Sequence, residues 1–242
     1  RGAVPQGGSS GNTAGYFFWE TSEKFHFKSI DSLMDTNTNK PKRSYIYNEF
    51  PDSGGANIAS VQFALERLGA KSILTDDVNI IRSADKVLLP GVGAAPVAMQ
   101  RLSQSGLINC IRTLEQPVLG ICLGMQLLFS HSAEGDTPLL GLFDATCTAF
   151  TPTAQRSVPH MGWNQLVFQQ DHPLLAGVKN GAHVYFVHSY FAPVTSQTVA
   201  ECSYGHDFTA IIGEKNFMGC QFHPERSGSV GARILQNFLE MT

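Results

Sequence analysis

Residues 118–126 read VLGICLGMQ, an apolar run that ends on Cys122 with Gly120 and Gly124 two positions to either side. This pattern predicts a strand that feeds directly into a helix, with Cys122 at the junction. A strand–nucleophile–helix turn forces its central residue into strained backbone geometry, and glycines on both sides remove the Cβ atoms that would collide there. The side chain then projects above the carboxyl edge of the sheet, where open α/β folds bind ligands. The helix that follows directs its positive dipole end at the sulfur, which favours thiolate, and the amide of Leu123 is available to an oxyanion. A cysteine buried in an ordinary βα turn reads the same on these residues alone. A thiolate nucleophile also needs a base, and the base an orienting group.

Both are offered by GCQFHPE, residues 219–225. His223 ends an apolar run and Pro224 stops the strand. Glu225 lies two residues on, so in extended chain both side chains point to the same side. A carboxylate beside the imidazole holds its tautomer and stabilises the imidazolium formed next to thiolate. His–Pro pairs commonly terminate strands, so HPE carries weight only together with the cysteine elbow. A third piece, PGVG at residues 90–93, follows the strand before the elbow strand. In a parallel sheet its loop opens on the same edge, and its glycines can turn amides toward the site as a second oxyanion donor. It is not a dinucleotide loop, because GVGAAP holds Pro96 where the third glycine of GxGxxG belongs.

Outward from these motifs, helix and strand alternate from about Asn57. ANIASVQFALERLGA places Ile58, Val61, Ala64, Leu65 and Leu68 on one helical face, with Gly69 to stop it. ADKVLLPGVG and PVLGIC read as buried parallel strands. PVAMQRLSQSGLINCIRTL reads as helix, and LGMQLLF starts the next one. After Gly141 the chain becomes strand-rich in ATCTAFTP, WNQLVF, AHVYFVHSYFAP and FTAIIGEKNFMGCQFH. GSVGARILQNFLEM closes as a helix with Val230, Ile234, Leu235 and Phe238 on one face. Alternating βα units imply a parallel sheet covered by helices, extended by later antiparallel strands. The first fifty or so residues differ: a glycine-rich lead, an aromatic stretch YFFWETSEKFHFKSIDSL consistent with a strand or hairpin, and a polar linker.

Hydrophobic residues make up 43% of the 242 and charged ones 15%, enough for a large buried core. A net charge of −3 and a pI near 6.2 give no reason to expect nucleic acid or an anionic membrane as partner. No apolar stretch approaches a membrane span of about 20 residues, and the N-terminus lacks the apolar core of a signal peptide, which points to the cytoplasm. Five cysteines without a CxxC suggest neither a disulfide framework nor a zinc ribbon, and nothing calls for a metal or other cofactor.

PGVG, GICLGMQLLF, HMGWN, YFVHSY and GCQFHPERSG occur in one order, and together they resemble the class I glutamine amidotransferases with their Cys-His-Glu triad. The resemblance covers roughly residues 53–242. PHMGWN with YFVHSY is similar to the branch that supplies glutaminase subunits to imidazole glycerol phosphate synthase, in histidine biosynthesis. It implies a flavodoxin-like amidotransferase fold: a mostly parallel central sheet flanked by helices, with an added antiparallel strand cluster. Residues 44–242 would form the amidotransferase domain and residues 1–43 an N-terminal appendage without counterpart in the family.

The resemblance also implies roles. Cys122 would attack the side-chain amide of glutamine, His223 would shuttle the proton to ammonia, and Glu225 would orient His223. Leu123 with Gly91, Val92 and Gly93 would stabilise the oxyanion. Gln126, Glu134, Ser189 and Tyr190 would hold the amino and carboxylate ends of the substrate. The partner would be a (βα)8-barrel cyclase that consumes the ammonia, met by Trp163, Asn164, Tyr185, His188 and Arg226 as interface and gate. The isolated chain would be a poor glutaminase until that partner docks. Two departures stand out. Arg226 follows HPE where many members carry lysine, and SYIYNEFPDSGGAN occupies the place of the family's apolar first strand. Other class I glutaminase subunits, a partner-independent γ-glutamyl hydrolase or cysteine peptidase, and an inactive interaction protein are the alternatives.

Overall fold

In the computed structural model the described residues are 43–47, 55–91 and 93–242, with side chains described from Ile58 onward. The aromatic N-terminal stretch and the rest of the proposed appendage lie outside them, except that Arg43 already belongs to the first strand.

The βα alternation unfolds as read. Strand β1 (Arg43–Tyr47) leads to helix α1 (Gly55–Arg67), β2 (Lys71–Thr75), α2 (Val78–Arg82) and β3 (Lys86–Gly91). Helix α1 buries Ile58, Val61, Ala64 and Leu65, and Gly69 takes the left-handed conformation just beyond its end, with φ 76°. The stretch 96–114 forms two helices rather than one, α3 (Ala95–Gln104) and α4 (Leu107–Arg112). The break is local: Ser105 N–H and Oγ both fold back on the Arg101 carbonyl at 2.9 Å, and Gly106 turns left-handed at φ 69°.

Next come β4 (Val118–Cys122) and α5 (Leu123–Gln126). The helix expected over LGMQLLF is therefore a single turn. Leu127, Leu128 and Phe129 are wholly buried, and a run that is apolar on every side fits a buried strand as well as a helix. The chain continues as β5 (Phe129–Ser132), β6 (Thr137–Pro138) and β7 (Phe143–Ala149). A ribbon follows, β8 (His160–Gln165), then β9 (Val167–Phe168), β10 (His183–His188) and β11 (Tyr190–Phe191). The last part holds β12 (Thr198–Ser203), β13 (Asp207–Glu214), β14 (Phe217–Cys220) and α6 (Gly228–Glu240), which buries Ile234, Leu235 and Phe238.

Eight strands form the central sheet in the order β2-β1-β3-β4-β14-β13-β12-β9. The first five are parallel and the remainder antiparallel, as the sequence implied. Strands β3 and β4 are buried almost throughout, and each fully buried leucine there contributes about 2 kcal/mol. Two smaller sheets, β10-β8 and β11-β7-β5-β6, have no ladder to the main one. Among the described residues no helix is long and apolar enough to cross a membrane.

Candidate active site

Three neighbouring parallel strands carry the site. Strand β4 lies between β3 and β14, with Gly91 paired to Cys122 on one side and Cys220 to Ile121 on the other. The PGVG loop, Cys122 and the QFHPE segment therefore leave the sheet at one carboxyl edge. Cys122 sits at φ 55°, ψ −112°, a conformation that costs a non-glycine residue about 1–3 kcal/mol. The surrounding glycines are required by contact. A Cβ on Gly124 would lie 1.7 Å from the Leu89 carbonyl oxygen, one on Gly91 2.3 Å from Gly124 N, and one on Gly120 2.6 Å from Gly124 O. Without side chains at these positions, α5 lies directly on β3 and presents the amides of its first turn beside the sulfur.

His223 and Glu225 meet as expected, by a different route. His223 is still extended and caps a 3-10 turn (Pro224–Arg226) that carries Glu225, and Nδ1 of His223 is 2.9 Å from Oε1 of Glu225. The Glu225 side chain is 0% exposed and that of His223 8%. The imidazole and the Cys122 sulfur line the same cleft, close enough for their charges to interact. Burial alone pushes the imidazole down. The charge of the Cys122 sulfur, the hydrogen bonds to it and to Glu225, and the carboxylate's charge together outweigh burial and hold His223 up at about 10. The ring is thus held as an imidazolium against a buried carboxylate. The turn is anchored to β10: His223 N–H donates to Tyr185 O at 2.9 Å, Tyr185 N–H to Ser227 Oγ at 2.9 Å, and Ser227 Oγ–H to His223 O at 2.7 Å.

Above the trio opens a cleft of about 420 Å³, within the range of small-molecule sites. Its walls include Gly91, Gly93, Leu123, Gln126, Glu134, Ser189, Tyr190, His188 and Arg226. The expected oxyanion and substrate residues thus share one cavity, apart from Val92, which lies outside the described residues. Glu134 Oε2 accepts from Ala95 N–H at 2.8 Å, at the start of α3. Gln126 is buried, and its Nε2 donates to Tyr190 O at 2.8 Å and to Gln221 Oε1 at 2.9 Å. Both amide hydrogens are thereby used, and only its carbonyl oxygen remains for a ligand.

The residues expected at an interface divide between two faces of the β8–β10 ribbon. Met161 and Trp163 are 62% and 56% exposed, and Trp163 meets its cross-strand neighbour Tyr185 edge-on at 5.9 Å. His188 lies on the opposite, buried face, where its Nδ1 donates to Tyr190 O at 2.8 Å and its Nε2 is 2.9 Å from Nδ1 of His160. Burial lowers His188 to about 3 and His160 to about 4, so both rings are neutral. The carbonyl fixes the tautomers: His188 donates from Nδ1 and accepts from His160 at Nε2. Asn164 lies on the His160 face, with Nδ2 donating to Ser203 O at 2.9 Å and lying 3.4 Å from His160 Nε2.

Two polar groups escaped the sequence reading, Gln221 and His160. Both are buried, Gln221 completely. The available signal was a polar residue inside the apolar run MGCQFH, which must find a partner once buried. What it would meet was not visible without the β4–β14 pairing.

A family profile described as "Glutamine amidotransferase class-I" matches residues 50–241, and the chain belongs to that family. Among curated relatives, "Imidazole glycerol phosphate synthase subunit HisH" of Xanthomonas axonopodis pv. citri (strain 306) is 54% identical over 191 residues, 79% of this chain and 96% of the relative. The protein of the same name from Xylella fastidiosa (strain Temecula1 / ATCC 700964) is 54% identical over 190 residues, 78% of this chain and 95% of its own. Among solved structures, one described as a glutamine amidotransferase aligns with TM-score 0.61 at 16% identity, covering 81% of this chain and 97% of its own. Another, a glutamine amidotransferase from Thermotoga maritima, reaches 0.51 at 15%, covering 79% of each chain. At these identities the structural likeness speaks to fold, which is the amidotransferase fold the sequence implied.

Proposed function

We propose that this class I glutamine amidotransferase is the glutaminase subunit of an imidazole glycerol phosphate synthase and hands ammonia to a (βα)8-barrel cyclase in histidine biosynthesis. The carrying observation is that Cys122 and His223 line one cleft, with Glu225 buried behind the imidazole 2.9 Å from its Nδ1. The Cys122 thiolate attacks the δ-carbon of glutamine. The oxyanion is met by the amide of Leu123 and by amides of the Gly91–Val92–Gly93 loop. The His223 imidazolium gives its proton to the departing nitrogen, and ammonia leaves behind a glutamyl thioester. Neutral His223 then takes a proton from water, hydroxide attacks the thioester carbonyl, and collapse releases glutamate and restores thiolate beside imidazolium. Glu225 holds the ring throughout and does not exchange a proton.

The substrate is a zwitterion, and the cleft matches it unevenly. Glu134 supplies charge for the ammonium. Gln126, with only its oxygen left, can accept an N–H but cannot serve the carboxylate, so the carboxylate falls to the Ser189–Tyr190 segment. Trp163 and Tyr185, with Asn164 and Arg226, form the face that meets the cyclase. The outer face of the β8–β10 ribbon is tied to the His223 turn through the Tyr185 and Ser227 hydrogen bonds, so docking there bears directly on the base. All five cysteines are free thiols, in keeping with a reducing cytoplasm.

The test is glutamine turnover by the purified chain, alone and with a barrel cyclase and its nucleotide. Turnover is expected to be weak alone and strong in the liganded complex. Full turnover that the cyclase leaves unchanged refutes the partner-dependent reading. A complex without turnover refutes the glutaminase reading itself.

A further inference from the structure

We propose that Gln221 is a positioning residue for the nucleophile, its side-chain amide joining the Cys122 sulfur to the glutamine pocket. Gln221 follows β14 and is 0% exposed. Its orientation is set from a distance. The Tyr190 carbonyl only accepts, so the Gln126 atom 2.8 Å from it is the amide nitrogen. The second hydrogen on that nitrogen runs 2.9 Å to Gln221, which must answer with oxygen. The nitrogen of Gln221 is left on the other side, 3.8 Å from Cys122 Sγ. A backbone carbonyl thus aims a neutral donor at the sulfur through two glutamines.

The remaining polar contacts of the sulfur explain what this donor does. The thiol donates to Val187 O at 3.6 Å, a contact that turns repulsive once the sulfur is anionic. Gln221 acts in the opposite sense, because a donor binds an anion more strongly than a neutral acceptor. A thioester sulfur is a poor acceptor, so the contact weakens in the acyl-enzyme and returns when thiolate departs. Gln221 therefore favours the sulfur that attacks and the sulfur that leaves. Through its oxygen it also holds Gln126, so a single amide serves two neighbours, and the two roles can be separated by substitution.

The inference rests on reading Cys122 as the nucleophile. The experiment is the pH profile of iodoacetamide alkylation of Cys122 in the full-length chain, read by peptide mass, with thermal melts alongside. The titratable groups around the sulfur are His223 and Glu225 from the turn, Cys220 from β14, and His188 and Tyr190 from the segment opposite. Glu134 and Arg226 stand elsewhere on the cleft wall. None of these is altered by Gln221→Met, and no charge is added, so a moved midpoint in that variant reports the amide.

Gln221→Met is expected to raise the midpoint by about one pH unit and to slow alkylation about tenfold at pH values below the wild-type midpoint. Gln221→Glu keeps an oxygen for Gln126 but turns a second oxygen on the sulfur. In the cyclase complex it is expected to leave KM for glutamine within about twofold and to lower kcat about tenfold or more. If Gln221→Met fails to fold, the alkylation midpoint of Gln221→Leu, which also removes the donor without adding a charge, carries the same comparison. A variant that loses thermal stability yet alkylates with the wild-type midpoint overturns the proposal and leaves Gln221 a packing residue. Wild-type Cys122 that resists alkylation at every pH overturns the nucleophile reading, and this inference with it.

Discussion

Gly124→Ala separates close packing at the elbow from glycine's general permissiveness. The added Cβ would lie 1.7 Å from the Leu89 carbonyl oxygen and 2.7 Å from the Leu89 carbonyl carbon, both backbone atoms of β3. No rotamer relieves this. Real Cβ contacts do not fall below 3.0 Å, so α5 and β3 must part by about 1.3 Å. Overpacking of this kind costs about 3 kcal/mol, which lowers Tm by roughly 6–12 °C in a domain this size. The same movement displaces the Leu123 amide and the Gln126 side chain from the cleft floor. Misplacement of a catalytic group by about 1 Å costs about 100-fold in turnover. The control is Gly106→Ala, where a Cβ meets nothing within 4 Å and only the left-handed φ of 69° is penalised. It should lose about 1 kcal/mol and retain full activity. Thermal melts and glutaminase kcat/KM of the cyclase complex read both effects. Gly124→Ala with full activity and no more instability than Gly106→Ala would refute the close-packing argument.

Cys122→Gly should abolish turnover while raising stability by about 1 kcal/mol in urea denaturation, because glycine accepts the φ of 55° that cysteine holds under strain; a destabilised variant would contradict the strain. The folded value of His223 is raised from 6.5 to about 10, so its stabilisation is fully present below about pH 6.5 and is lost as pH rises through about 10. The stability gap between wild type and His223→Asn should accordingly shrink between pH 6 and pH 10, and a widening gap counts against the charged trio. In native protein iodoacetamide should modify Cys122 alone. Cys147 and Cys202, pushed up to about 12 chiefly by burial, should react only after denaturant is added, as peptide mass mapping will register. Trp163→Ala should weaken binding of the barrel subunit about 30-fold with an unchanged melting curve; unchanged affinity in calorimetry would move the interface elsewhere.

The parts of the site that were legible in the sequence are those set by local backbone. GxCxG specifies an elbow because its glycines answer a clash within a few residues, and the contacts at Gly120 and Gly124 bear this out. The meeting of Cys122 with His223 was legible at one remove: both segments end apolar runs, and in a parallel sheet such ends share an edge. The route of the last link was not legible. Glu225 reaches His223 from a 3-10 turn because Pro224 starts that turn at once. The length of α5 was overstated because LLF is buried on all sides and leaves no periodicity to read. Gln221 and the His160–His188 pair were hidden for a third reason. Each is satisfied by a residue far along the chain, and such pairing depends on strand order and register, which composition does not encode.

The strain at Cys122 and the glycine packing around it act as one device. A non-glycine residue at positive φ persists only where its surroundings over-determine it. Here β3 holds α5 from one side through Gly91 and Gly124, while Gly120 admits its first turn from the other. Releasing the strain would require moving the sulfur away from His223, from the Val187 carbonyl and from Gln221 together. The network beyond continues this constraint, because Tyr190 O receives both Gln126 and His188 and so couples the nucleophile's floor to the buried face of the β8–β10 ribbon. A partner seated on the ribbon's outer face, as proposed, would therefore press on a wall already hydrogen-bonded to the base and to the substrate pocket. On the proposed reading, activation by docking would require no long-range rearrangement, because the route from the ribbon to the base is already hydrogen-bonded.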